Sequence, residues 1–505
     1  MSGHSLLMMT FVSADGGWVA EYAQGASWYN GGSNVARQAV ALNNSGNINL
    51  LGANYNNSDD GDYRAYMLEV DPGNATVTSS SRWTGQNDNA SNTQNISFSQ
   101  AQYNYQQGKW YCNVGGGQWY EADGTTVVNG GAMLVLNDNG AYYDTITAGT
   151  AVPNSSMYYR VATNSSDYGW FLMTGGDTIR YYYKVDTSYN PIRVYQAYEA
   201  QSSSGWSSTR GITVSPNMSR FAVYNTDNNE FGVSFHPRGT SNLSYYARKV
   251  PGNDSGSGYD TNNFDNLESM DNSYWCYPCT YNNSNARPSF IRIEDGATYY
   301  VTRFERKSYN GTNAFIDTTS KQVPEASGSY VYGFSILVYY QSGVYKRAGI
   351  IWKFQKSDMS VVDATAFIRT APNPPGNTDN TFGQPYHGFS LTQDEDFLLI
   401  GGTTKNSHEF GNDPLYIIKH PVDFTQMSYG TKGNWYFWDF TDSSTGGTYP
   451  TITEVLTTTT TSASTYTRSL NISNSGQGNY DSDNGQNYNT RGTNDPFTVT
   501  KTDIT

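Results

Sequence analysis

Residues Gly388 to Gly402, GFSLTQDEDFLLIGG, read as a short strand, a polar turn and a second, fully apolar strand that stops on two glycines. The pattern recurs at Ala39 to Ala53 (AVALNNSGNINLLGA), Ser97 to Gly117, Tyr159 to Gly176, Gly211 to Asn225, Ser289 to Arg303 and Val331 to Gly343. Each copy is followed by a variable stretch and a third apolar run, such as YRAYMLEVDPGN, GAMLVLNDNG, AGIIWKFQKSD or PLYIIKHPVD. Several of these runs end in Asp or Asn plus a turn residue, the chemistry that reverses a strand. A fourth segment often follows, as in NPIRVYQAY, MSVVDATAF and GNWYFWDF. Successive second strands start about 60 residues apart, the period of a four-stranded repeat with loops of varying length.

Units of this kind form the blades of a β-propeller, because one small sheet cannot bury both faces and must pack against neighbours around an axis. Seven cycles imply seven blades, with six or eight as the alternatives. The expected fold is therefore all-β, with residues 1–455 as the propeller and residues 10–24 completing its last blade, so that no long edge stays open. A central blade strand is buried on both faces, which accounts for runs such as WFLMTGG and FLLIGG that do not alternate. A pair of β-sandwiches would show shorter, less regular spacing and a composition break in mid-chain, and neither is present.

Composition agrees. Only 15% of the 505 residues are charged, while there are 43 Tyr, 21 Phe and 11 Trp, a balance that favours pleated, half-buried surfaces. Helical runs of Leu, Ala, Glu and Lys are missing. The net charge of −14 repels a polyanion, so nucleic acid is not an expected partner. No run is apolar enough to cross a membrane as a helix, and the opening MSGHSLLMMTFVSADGG lacks the basic start and apolar core of a secretory signal. Met1 suggests a native start, and we expect no signal-directed export.

Two regions stand outside the cycles. Residues 252–286 read as a long insertion loop, and residues 456–505 as a Thr-, Asn- and Gly-rich C-terminal arm, extended and held by packing against the propeller or a neighbouring subunit. Cys276 and Cys279 form a lone CxxC with no second ligand pair for zinc, hence free or locally bridged, and Cys112 sits in an apolar strand. Asp481 and Asp483 have the flavour of a calcium loop, but chance turns are commoner in so Asp-, Asn- and Gly-rich a chain. No metal or cofactor is expected. His4, His236, His387, His408 and His420 belong to no catalytic motif, and His236 and His420 each precede a proline at a strand end. Arg292, Arg303, Arg306 and Arg347 would serve a sialidase-type site only if they converged. Aromatic residues on expected loops are the strongest binding signal: Trp28, Tyr29, Trp83, Trp206, and above all Tyr274, Trp275 and Tyr277 in the insertion. Flat rings stack on sugars and anchor protein interfaces, although each could equally cap a blade core.

The pairs LTQDEDFLLIGG with LYIIKHPVDF, and GNINLLGA with AYMLEVDPGN, resemble the short propeller repeats of bacterial and viral proteins. That resemblance covers roughly residues 10 to 450 and specifies fold rather than activity. The Asn-, Tyr- and Thr-rich style is similar to virion tail or fibre proteins of marine tailed phages. The resemblance implies a non-enzymatic structural or attachment protein in an extracellular particle. Its partners would be other virion proteins or copies of itself, through Leu456 to Thr505, and a host surface glycan. The alternatives are a carbohydrate-active enzyme, glycosidase or lyase, with its site at the propeller axis, and a cell-surface lectin or extracellular structural protein.

Overall fold

Runs rich in Val, Ile, Tyr and Thr, separated by Asn, Asp and Gly, fold as antiparallel strands throughout the computed structural model. The structure describes residues 16–24, 39–56, 62–84, 98–105, 107–120, 127–147, 160–162, 168–175, 179–186, 193–201, 208–214, 220–227, 230–237, 244–251, 268–269, 274–279, 289–294, 298–309, 312–326, 328–341, 343–370, 388–403, 414–442, 449–464, 466–473, 489–490 and 497–505. Among them, helix is limited to the single turn Ile452–Val455 and the 3-10 turn Phe424–Gln426.

The strands follow chain order as seven meanders among the described residues: 39–84, 98–147, 160–201, 208–251, 268–309, 312–369 and 388–421. Each of the first six has four strands; the seventh has three of its own, Gly388–Leu391, Phe397–Thr403 and Leu415–Pro421, and takes Trp18–Gln24 as its fourth. The opening strands of successive meanders lie beside one another. Ala39–Leu42 contacts Phe98–Asn104, which contacts Arg160–Ala162, then Ser208–Val214, Glu268–Ser269, Thr312–Pro324 and Gly388–Leu391, which returns to Ala39–Leu42.

Packing between neighbouring sheets explains the non-alternating apolar runs. Leu398 and Ile400 belong to one core with Phe334, Phe367 and Tyr416, while Leu399 turns the other way to meet Leu50, Leu68, Trp18 and Ile417. Leu51 and Met67 continue to Trp110, Cys112 and Leu134. The period-two geometry of a strand is kept, but both faces are apolar because both meet another sheet. The close approach demands glycine: a Cβ on Gly388 would lie 2.8 Å from the Val40 backbone nitrogen, and one on Gly401 2.5 Å from Leu50 Cδ1.

Two expectations are corrected. Residues 252–286 are not wholly an insertion loop, since Glu268–Ser269 and Tyr274–Cys279 are the first two strands of the fifth meander. The run at Ser289 to Arg303 therefore supplies the third and fourth strands, and Thr312–Pro324 opens the next meander. Trp435–Asp439 does not complete the seventh meander; it pairs with Val361–Arg369 and caps the sixth. The described parts of residues 456–505 take the first of the two placements expected for the arm, packed on the sheets of their own chain. Leu456–Ser464 pairs with Thr298–Tyr309, Tyr466–Ser473 lies between Ser244–Pro251 and Arg193–Gln201, Asn489–Thr490 pairs with Val77–Thr84, and Phe497–Asp503 pairs with Trp18–Gln24. An outer strand presents a row of unpaired N–H and C=O groups, and a Thr-rich segment of high strand propensity satisfies it.

The strand Trp18–Gln24 is also held by charge. Glu21 is 6% exposed and accepts from Arg369 Nε at 2.7 Å, Arg369 Nη2 at 3.1 Å and Asn434 Nδ2 at 3.1 Å. This fork joins the seventh sheet to the outer strands of the sixth. Truncating Glu21 to Ala leaves the guanidinium without its counter-charge and is expected to cost about 3 kcal/mol. Urea unfolding should show E21A well below wild type, with the double variant E21A/R369A recovering part of the loss.

Candidate functional site

Antiparallel order sorts the connections to two ends. Turns between first and second strands, and between third and fourth, leave at one end; second-to-third connections and the links between meanders leave at the other. Within the meanders the connections at the first end are short, for example 43–47, 71–76, 138–141, 325–329, 356–360 and 392–396, although the longer stretches 440–451 and 474–488 outside the meanders also leave from this end. Within and between the meanders the long ones leave at the second end: 25–38, 85–97, 148–159, 252–267, 370–387 and 404–414. Binding residues concentrate on variable connections carried by a rigid scaffold.

The turn end is built for rigidity. Asn43 Nδ2 donates to Asn49 Oδ1 at 2.6 Å and to Glu69 Oε1 at 3.2 Å, and Ser79 Oγ donates to Glu69 Oε2 at 2.7 Å. Across to the second meander, Asn49 Nδ2 donates to the Asp138 carbonyl at 3.0 Å, Tyr103 Oη to Asp138 Oδ1 at 2.5 Å, and the Asn44 N–H to Tyr103 Oη at 2.8 Å. Burial and the Asp138 carboxylate push the Tyr103 hydroxyl well above its ordinary range, so it stays a neutral donor. Buried carboxylates here are tied into turns. Glu325 likewise accepts from Tyr332 Oη at 2.7 Å and from the Tyr330 N–H at 3.0 Å. His420 is fully buried against Phe424, and its Nδ1 lies 2.7 Å from the Pro421 carbonyl. Burial lowers its pKa to about 3. That environment suits packing next to a turn.

Among the described aromatic candidates, Trp83 lies toward the long-connection end, whereas Tyr274 and Trp275 open a second strand at the turn end. Trp28, Tyr29 and Trp206 lie outside the described residues. Trp83 is not on a loop: it is in the strand Val77–Thr84, with Ala65 and Thr490 as its register partners. Tyr274, Trp275 and Tyr277 are likewise strand residues, opposite Glu294, Ile293 and Ile291. A loop reading failed there because the flanking Asn, Asp and Ser outweighed a short aromatic run with a proline in it. Within that strand Cys276 and Cys279 are three extended residues apart, about 10 Å between Cα atoms. A disulfide cannot span that distance without backbone movement.

One aromatic pair was missed. The hairpin of Tyr330–Gln341 and Val344–Gln355 pairs out to its tip, where Tyr340 and Tyr345 face each other across the ladder with ring centroids 5.2 Å apart. Tyr345 is 50% exposed, beside Lys346 and Arg347, at the long-connection end. The sequence YYQSGVYKR carries the signal, a two-residue Ser-Gly turn between aromatics, but its reading as one continuous cycle hid it.

The arginine set does not read as a carboxylate clamp. Arg292 is buried, donates to the Ser357 carbonyl at 2.8 Å and lies over the Tyr300 ring, while Arg347 belongs to the next meander. Among the described residues no three His, Cys, Asp or Glu side chains are grouped to hold a metal ion, and Asp481 and Asp483 lie outside those residues. Cys112 is buried and free in its core strand. Among the described residues no helix is long and apolar enough to cross a membrane.

No family model and no curated protein matches the chain. Among solved structures it is similar to the propeller-like WD40 domain of SCAP from fission yeast, at 9% identity and a TM-score of 0.30, covering 70% of this chain and 89% of that one. It is also similar to a GH43 glycoside hydrolase whose engineered active site gives both endo-xylanase and exo-arabinofuranosidase activity. That match has 10% identity and a TM-score of 0.21, covering 83% of this chain and 99% of that one.

Two outcomes test the turn end. Asp138→Ala removes the acceptor of Tyr103 and should cost about 2 kcal/mol in urea unfolding, with Asp138→Asn costing less. His420 binds its proton in the unfolded chain near pH 6.5 but in the folded chain only near pH 3. Its contribution to stability is therefore whole above pH 6.5 and lost as pH falls through that window, by up to about 1.4 kcal/mol per unit. His420→Phe should remove that slope from a pH series of unfolding midpoints.

Proposed function

We propose that the chain is a seven-bladed β-propeller that serves as a non-enzymatic attachment and structural protein of an extracellular particle, a tailed-phage virion. The ring is supported by the cyclic order in which opening strands touch. The binding reading rests on one observation, the departure of the links between meanders, several of them long and rich in Asn, Ser and Gly, from a single end. Short hydrogen-bonded turns hold the opposite end, so the variable surface sits on a rigid support. The ligand class is a host surface glycan, contacted by Tyr340, Tyr345 and Trp83, with the candidates Trp28, Tyr29 and Trp206 on connections that leave the same end; Tyr274, Trp275 and Tyr277 belong to a strand that begins at the turn end and are not part of this surface. A hydrolase would need two carboxylates held roughly 5–9.5 Å apart in one pocket. The buried Glu21, Glu69 and Glu325 are instead each engaged by a partner of their own fold.

The test is binding of the purified chain to intact bacterial cells and to their isolated surface polysaccharides. Tyr345→Ala should weaken binding about tenfold, the scale of one lost stacking contact, whereas Glu395→Gln at the turn end should leave it unchanged. Equal binding by both variants, or release of reducing sugar from the polysaccharide, would overturn the reading.

A further inference from the structure

The edge strands donated by residues 456–503 are laid down in an order. They reach the fifth meander first, then the fourth, the third, the first and the seventh, the reverse of the order in which the chain built them. The course begins one step earlier, with Trp435–Asp439 on the sixth. Its start is anchored: Thr451 is buried, the Ile452 N–H donates to the Phe440 carbonyl at 2.8 Å, and Trp438 Nε1 donates to the Pro450 carbonyl at 2.9 Å. The last stretch is held differently. Phe497–Asp503 alternates half-buried and exposed side chains along its ladder, and Ile504 alone of these residues is fully buried. Ile504 packs with Val19, Phe424 and Met427, its N–H donates to the Gly17 carbonyl at 2.9 Å, and its carbonyl accepts from the Ser428 N–H at 2.8 Å.

We propose that residues 456–505 are an exchangeable belt. Latched by Ile504, the belt covers its own outer edges; unlatched, it pairs with the same edges of a second copy. The second copy is the fitting occupant because it offers the identical acceptor strands in the identical register. The ladder hydrogen bonds lost in one molecule are then regained in the other, as in strand exchange generally. Uncovered, those edges are long open templates for pairing. Its first two strands, Leu456–Ser464 and Tyr466–Ser473, are separated by a single residue. The hinge is Val455 to Leu456, just past the anchored helical turn.

The experiment uses the full chain with Ile504→Asp, and Ile504→Val as the conservative control. Amide hydrogen exchange should rise at least tenfold in Trp18–Gln24 and also in the distant outer strands Val77–Thr84, Ser244–Pro251 and Thr298–Tyr309. Light scattering should show a concentration-dependent dimer for Ile504→Asp and a monomer for Ile504→Val. A rise confined to Trp18–Gln24 and Leu415–Pro421, or a monomer at all concentrations, overturns the proposal. Because Ile504→Asp could fail to fold, wild-type chains carrying two different tags are also mixed in mild urea and then returned to buffer. Mixed dimers support the exchange, and their absence overturns it. Glycan binding through Tyr345 plays no part in either readout.

Discussion

Two backbone ladders on one seven-residue strand, Trp18–Gln24, hold the rest of the molecule in place. On one side it is the fourth strand of a sheet whose other members come from residues 388–421; on its other side lies Phe497–Asp503. Segments almost five hundred residues apart thus share one sheet. Loop closure over such distances costs entropy before any contact repays it, so the sheet must be assembled late. The Glu21 fork to Arg369 then ties this late sheet to its neighbour with a charge pair that is nearly shielded from water.

The interior is a series of shared cores rather than one. Each central strand gives alternate side chains to the sheet before and the sheet after, as with Leu398 and Leu399, or Leu50 and Leu51. Stability is therefore a property of pairs of neighbours, as in other repeat folds. The turns follow a matching rule that sequence reading passed over. In Asn74-Ala75-Thr76 and Asp358-Met359-Ser360 the middle residue is apolar, fully buried and at positive φ, while the Asx side chain accepts from the Ser or Thr after it. A left-handed non-glycine residue costs energy locally, and burying its side chain offsets the cost.

The same logic accounts for the site residues. Tyr274, Trp275 and Tyr277 looked like loop aromatics because polar residues surround them, yet the missing inner strands of the fifth meander had to come from there, and Tyr274–Cys279 is the aromatic run available. Trp83 looked isolated for a similar reason: its partner strand, Asn489–Thr490, lies four hundred residues away. Tyr340 and Tyr345 face each other only because the hairpin register pairs Gln341 with Val344, and no property of either residue alone signals it.

What the amino-acid sequence determined by itself is local: strand after strand, the short turns between them, and the apolar runs that require a sheet on each side. Those follow from alternation, β-propensity and turn chemistry, which act over a few residues. Tertiary structure alone decided which outer edge each distant segment covers. Backbone hydrogen bonding is nearly blind to side-chain identity, so a Thr-rich run such as 456–464 fits many edges equally well. The choice among them is made by where the neighbouring strands have already placed the chain.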